Sequence, residues 1–192
     1  MAVVQLASSE DVVDALGRDL TDSEELKVGA ILDKASELFR NRSGQQFTPG
    51  TSSVRLRVVA DKVTLPQRPV VSVESVVEDV AGGAAVPFDL FQSALTLDYP
   101  RGGDFVRVAY THGGDVPDLV RLTIAEIAKK VLTVSPHAAA GLTQRSEGTG
   151  PFTEQETYAT WAQGGQTMLA PADAAVADSF RVKTYGAIVT VP

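Results

Sequence analysis

The residues that could do chemistry are few, and their spacing does not favour it. His112 and His137 are the only imidazoles among 192 residues, and there is no cysteine to join either in a metal site. His112 closes an alternating run just before Gly113, which reads as a turn position rather than a general base. No serine lies in a Gly-x-Ser-x-Gly elbow, and the glycine pairs form neither G-x-G-x-x-G nor a Walker A loop. The carboxylate pairs Glu10-Asp11 and Glu24-Glu25 fall in helix first turns, where capping and the helix dipole account for them. "LPQRPVVSV" (65–73) contains P-x-x-P, but Pro66 and Pro69 also suit a sheet margin just before a strand. Trp161 and Tyr158, in a polar stretch, read as anchors for a loop more readily than as a binding platform. No catalytic, cofactor or metal residue is assigned, and no enzyme is expected.

The totals set bounds on the rest. Hydrophobic residues make up 44% and charged residues 21%, a globular composition with enough apolar content for a core. Acids outnumber bases 24 to 17, a net charge of −7 that opposes binding nucleic acid by phosphate neutralisation. The first residues lack a basic segment followed by an apolar run, and no window approaches a membrane span. The expectation is a soluble intracellular protein without disulfides.

The elements that would position any site follow from periodicity. Ser8 and Asp11 open a short helix that Gly17 stops, and Thr21 with Glu24 forms a capping box for a second. Leu26, Ala30, Ile31, Ala35, Leu38 and Phe39 give that second helix an apolar stripe up to Gly44. From 54 to 112 strands take over: "VRLRV" (54–58) alternates Val54, Leu56 and Val58 against Arg55 and Arg57. "VVSVESVVEDV" (70–80), "LTL" (95–97) and "DFVRVAYTH" (104–112) complete a small sheet, antiparallel because the connections are short. A helix over 117–134 is apolar on most of its circumference, with Leu119, Leu122, Ile124, Ile127 and Val131 as core or subunit-interface residues. A Gly-rich stretch (140–168) with a hairpin near Gly148-Thr149-Gly150 follows, then a helix begun by Pro171. The last residues, "RVKTYGAIVTVP", are apolar and strand-prone, so a sheet edge should cover them.

Four stretches, in this order, carry a family resemblance: "LASSEDVVDALGRDLTDSEELKVGAILDKASELFRNRSGQQF" (6–47), "VTLPQRPVVSVESV" (63–76), "VRVAYTHGGDVPDLVRLTIAEIAKKVL" (106–132) and a late Pro-Ala-Asp helix with a short tail. The chain resembles the head-to-tail connector (adaptor) proteins of long-tailed double-stranded DNA bacteriophages, particularly those infecting actinobacteria. The resemblance covers about residues 6 to 134 well and the rest loosely. It implies an α+β fold: a small helical bundle with long helices at about 22–43 and 117–134, an inserted antiparallel β-region at about 54–112, and an extended C-terminal tail. The whole would be one connector domain over 1–192, with helices drawn from 6–44 and 117–180. It also implies a homo-oligomeric ring, usually of twelve copies, in the virion neck, assembled in the host cytoplasm. A portal protein lies above, a stopper below, and DNA passes through without sequence-specific contact. By position, portal docking falls on the tail 181–192: Arg181, Val182, Lys183, Tyr185, Ile188, Val189 and Val191. The alternatives are a stopper or tail terminator, or a small β-type ligand-binding module; no cofactor or membrane association is expected.

Overall fold

A computed structural model describes residues 4–98, 104–149, 152–158 and 166–182. Its helices are α1 (Ser9–Leu16), α2 (Asp22–Ser43), α3 (Asp118–Leu132), α4 (Pro136–Ala139) and α5 (Pro171–Ser179). Its strands are β1 (Gly50–Arg57), β2 (Lys62–Thr64), β3 (Val70–Glu78), β4 (Phe88–Phe91), β5 (Ala94–Leu97), β6 (Phe105–His112), β7 (Gln144–Thr149) and β8 (Phe152–Thr157). The chain divides into two compact units, one of residues 1–43 and 116–179, the other of 44–115 and 180–192.

The first unit is helical, with α3 at its centre against α1, α2 and α5. Ser8 caps α1 as expected. Its hydroxyl accepts the Asp11 N–H at 3.2 Å, and the Asp11 carboxylate accepts the Ser8 N–H at 2.8 Å. The box expected at the start of α2 forms by half: Glu24 accepts the Thr21 N–H and hydroxyl at 2.9 Å, while the Glu24 N–H goes to the Thr21 carbonyl at 2.8 Å and not to its hydroxyl. With Arg18 also donating to it at 2.7 and 2.8 Å, the Glu24 carboxyl is drawn down to about 2. The buried stripe of α2 is Val28, Leu32, Ala35, Ser36, Phe39 and Ser43, so the expected stripe is turned. Ala35 and Phe39 belong to both, whereas Leu26 points to solvent, 87% exposed. The segment before α1 decides between the two. The Leu6 N–H donates to Ser36 Oγ at 3.0 Å and Gln5 Nε2 to Asp33 at 2.9 Å, which lays that segment along the Ser36 side of the helix.

In the second unit two three-stranded antiparallel sheets, β1-β6-β3 and β2-β5-β4, enclose one core. β6 is its central strand: Val106, Val108 and Tyr110 point inward, while Arg107 points out. Val54, Leu56 and Val58 pack on this core, as their alternation with Arg55 and Arg57 requires. At Ala60 and Asp61 both φ angles are positive (48° and 64°), and Val59 and Lys62 exchange backbone bonds at 3.0 Å. That is the type I′ geometry that matches strand twist, and it turns the chain from the first sheet into the second.

The expected bundle of long helices around one β-region is therefore corrected. The α+β class stands, but the described residues form five helices and three small antiparallel sheets. Beyond the 22 residues of α2, helix lengths are 15, 9, 8 and 4 residues. Local stop signals explain the shortness. Gly17 adopts φ 68° after α1, and Pro117 and Thr133 bracket α3. Between α4 and α5 the polar stretch pairs β7 with β8 instead of extending a bundle. The hairpin expected near Gly148-Thr149-Gly150 is present, with Gly148 and Thr149 paired to Thr153 and Phe152 as strand residues; Gly150 lies outside the described residues.

Candidate interaction surfaces

In the helical unit, ion pairs tie α3 to α1 and α5. Arg121 Nη1 reaches Asp11 on α1 at 2.6 Å, and its Nη2 reaches Asp118 at 3.0 Å. Burial alone would raise the Asp11 carboxyl, but the Ser8 hydrogen bonds and Arg121 outweigh it and hold it below the usual range. One helical segment later, Lys130 Nζ binds both oxygens of buried Asp173 on α5 at 2.8 and 2.9 Å. Val120, Ile124, Ile127 and Ala128 are buried, each no more than 1% exposed.

The opposite side of α3 keeps Leu119 at 53% and Leu122 at 55% exposure. Of the interface and core residues expected on this helix, Ile124 and Ile127 are interior, Leu119 and Leu122 face outward, and Val131 is half-buried. Val131 lines a cleft of about 640 Å³ with Leu26, Ala30 and Ile31 of α2 and Leu132 and Val134. The exposure of Leu26 is the feature that periodicity missed, because α2 carries apolar residues on two adjoining strips.

In the β-unit, two of the stretches that carry the family resemblance meet through glutamines. Gln45 Nε2 donates to the Pro66 carbonyl at 2.7 Å, and its oxygen accepts the Arg68 N–H at 2.9 Å. In return Gln67 Nε2 donates to the Gly44 carbonyl at 2.9 Å and its oxygen accepts the Gln46 N–H at 2.8 Å. The reciprocal bonds satisfy backbone groups that no strand pairs. They give "SGQQF" and "LPQRP" a structural role, and Pro69 directly precedes β3.

His112 ends β6 with Nε2 2.8 Å from Ser52 Oγ, while Nδ1 has no hydrogen-bond partner among the described residues. A serine–histidine nucleophile needs a third group on that second nitrogen to orient the ring, and none of the described residues reaches it. The pair is a cross-strand link between β1 and β6. Burial lowers the His112 pKa, since the charged imidazolium would sit in a site with one neutral partner. A histidine depressed in the folded state contributes stability that is whole above its ordinary value near 6.5 and lost as pH falls through it. The thermal midpoint of the β-unit should therefore drop by a few degrees between neutral pH and pH of about 5. His112→Gln, which keeps a hydrogen-bonding group but cannot gain charge, should remove much of that slope.

The outer face of the β1-β6-β3 sheet is cationic. Arg55 and Arg107 stand opposite each other and share the Asp79 carboxylate, Arg107 at 3.1 Å. Those two guanidinium groups hold Asp79 below the ordinary carboxylate range. The Arg55 guanidinium also lies 3.9 Å from the Phe105 ring centre. Arg57, two residues along the same face and opposite Phe105, is exposed and makes no ion pair among the described residues. Beneath this rim a cleft of about 500 Å³ reaches Val58, Val86 and Leu97.

Of the expected docking tail, Arg181 is exposed and Val182 half-buried. Phe180, just before them, meets Phe47 edge to face at 5.3 Å. Lys183, Tyr185, Ile188, Val189 and Val191 lie outside the described residues, as does Trp161. Tyr158 is half-buried and its hydroxyl donates to Glu156 at 2.6 Å. Among the described residues no group of histidines and carboxylates is placed to hold a metal ion, and no helix is long and apolar enough to cross a membrane.

No protein-family model matches the chain, and no curated protein matches it. Among solved structures it is similar to a chain from the neck of an empty GTA particle computed with C6 symmetry. The identity is 16% and the TM-score 0.45, over 71% of this chain and 87% of that one. It is also similar, at 14% identity and a TM-score of 0.48, to a chain from the neck of a native GTA particle computed with C12 symmetry, over 97% of this chain and 98% of that one.

Proposed function

We propose that this chain is a structural neck protein of a tailed, phage-like particle, and within the neck the head-to-tail adaptor. Copies form a ring beneath the portal, continue its DNA channel, and present their far side to the stopper. The observation that carries the reading is the outward face of the helical unit. Leu26 on α2 and Leu119 and Leu122 on α3 are each more than half exposed, on helices that bury another apolar face against their own chain. A neighbouring subunit in a ring would cover these leucines. The four ordered stretches of the family resemblance supply the kind of assembly, and the helical unit's excess of acid suits a wall along which DNA slides without adhering. Portal attachment belongs, in this reading, to the tail 181–192.

The test is reconstitution with the portal encoded alongside it, viewed by electron microscopy. The full chain should attach as a closed ring on one face of the portal. A chain lacking 181–192 should keep its circular dichroism spectrum and lose attachment. A full-length chain that ignores the portal but binds a portal already carrying a ring would be a stopper, and one that does neither would overturn the neck reading.

A further inference from the structure

We propose that the cationic outer face of the β1-β6-β3 sheet, centred on Arg57, docks into the acidic cleft between α1 and α2 of a second copy of this chain. The inference rests on the ring reading above and names the contact that joins neighbours.

The first support is how charge divides between the units. The helical unit holds sixteen of the 24 carboxylates and nine of the 17 cations, whereas the β-unit is balanced at eight of each. The whole net charge of −7 thus belongs to the helical unit. On the β-unit, Arg55, Arg57 and Arg107 share one sheet face, and Arg55 and Arg107 already hold Asp79. Arg57 is exposed opposite Phe105, itself 40% exposed, and makes no ion pair among the described residues.

The cleft has the complementary chemistry. It measures about 740 Å³, with Glu10, Asp14, Asp19 and Glu25 on its sides and Val13, Leu20 and Val28 among its lining. Glu10 and Asp14 are four residues apart on α1 and so lie on one side of it. Among the described residues none of the four carboxylates makes an ion pair, so their charge is unspent within the chain. An arginine entering such a cleft lays its methylene stem on the apolar lining and its planar fork on the carboxylates.

Topology selects a second copy as the occupant. The two faces are different surfaces of one chain, so joining them between copies is a head-to-tail contact, the kind that closes into rings. Pairing the sheet face with itself would instead set arginine against arginine.

The experiment is a charge swap in the full-length chain, read by sedimentation velocity and mass photometry at low and high salt. Arg57→Glu and Asp14→Arg should each weaken self-association by about tenfold or more at low salt. Both positions are exposed, and each variant's melting temperature checks that it remains folded. Combining the two changes in one chain should restore association, because the opposed charges are exchanged rather than lost. Rings that survive both single reversals, or a combined variant no better than either, would overturn this contact and leave the ring reading intact. A wild-type chain that stays monomeric, alone and with portal, overturns both.

Discussion

Ile127→Asp is expected to unfold the helical unit at room temperature or bring it close to unfolding. Ile127 is 1% exposed on α3, the helix that packs against α1, α2 and α5. The substitution removes a buried aliphatic side chain and places a carboxylate in an apolar site. Arg121 is committed to Asp11 and Asp118, and Lys130 to Asp173. The combined loss of packing and solvation is about 4 kcal/mol or more, a large share of a small domain's stability. Urea denaturation followed by circular dichroism measures it. Leu122→Asp is the control, since Leu122 is 55% exposed on the other side of the same helix. That change should cost less than about 1 kcal/mol of monomer stability while weakening assembly. Equal midpoints for the two variants would mean that the two sides of α3 are not distinguished as described.

Gly113→Ala should be the most damaging single-methyl change in the β-unit. Gly113 follows β6 with φ 87°, and a Cβ there would lie 2.1 Å from the Thr48 carbonyl oxygen and 2.5 Å from its carbon. These are backbone atoms, and the Gly113 N–H is fixed to the Pro69 carbonyl at 2.9 Å, so neither side can withdraw cheaply. Left-handed strain and the clash together should cost about 3 kcal/mol. Gly17→Ala offers the comparison: φ is 68°, but nothing lies within 4 Å of the added carbon, so the strain term of about 1 kcal/mol stands alone. If the two variants melt at the same temperature, the close approach at Thr48 is not what requires glycine at 113.

Much of the local structure was legible because its causes are local. Ser8 with Asp11, Gly17, Pro117 and Pro171 mark helix ends through their own backbone chemistry, and the structure places helix ends beside them. Val54, Leu56 and Val58 alternate with Arg55 and Arg57, so one face of β1 had to be apolar. What escaped depends on partners. β2 and β4 are three and four residues long, too short to show a period, and exist because β5 pairs with both. The turn before β2 uses Ala60 and Asp61 at positive φ, with neither glycine nor asparagine to announce it. β1 begins at Gly50 rather than Val54 because "GTSS" is held opposite Ala109 to His112 of β6, not because those residues favour a strand.

By itself the sequence determined composition, charge and the punctuation of helices. Each of these is a property of residues and near neighbours. Only the tertiary structure decided which of two apolar strips on α2 is buried, because the segment at Gln5 and Leu6 binds one side of that helix. It alone showed that Leu119 and Leu122 face outward on a helix that looked apolar nearly all round, because α1, α2 and α5 cover the side that carries Val120, Ile124, Ile127 and Ala128. It also sorted a net charge of −7 into an acidic helical unit and a balanced β-unit with an arginine face. Chain order interleaves those charges, and only folding collects them into surfaces.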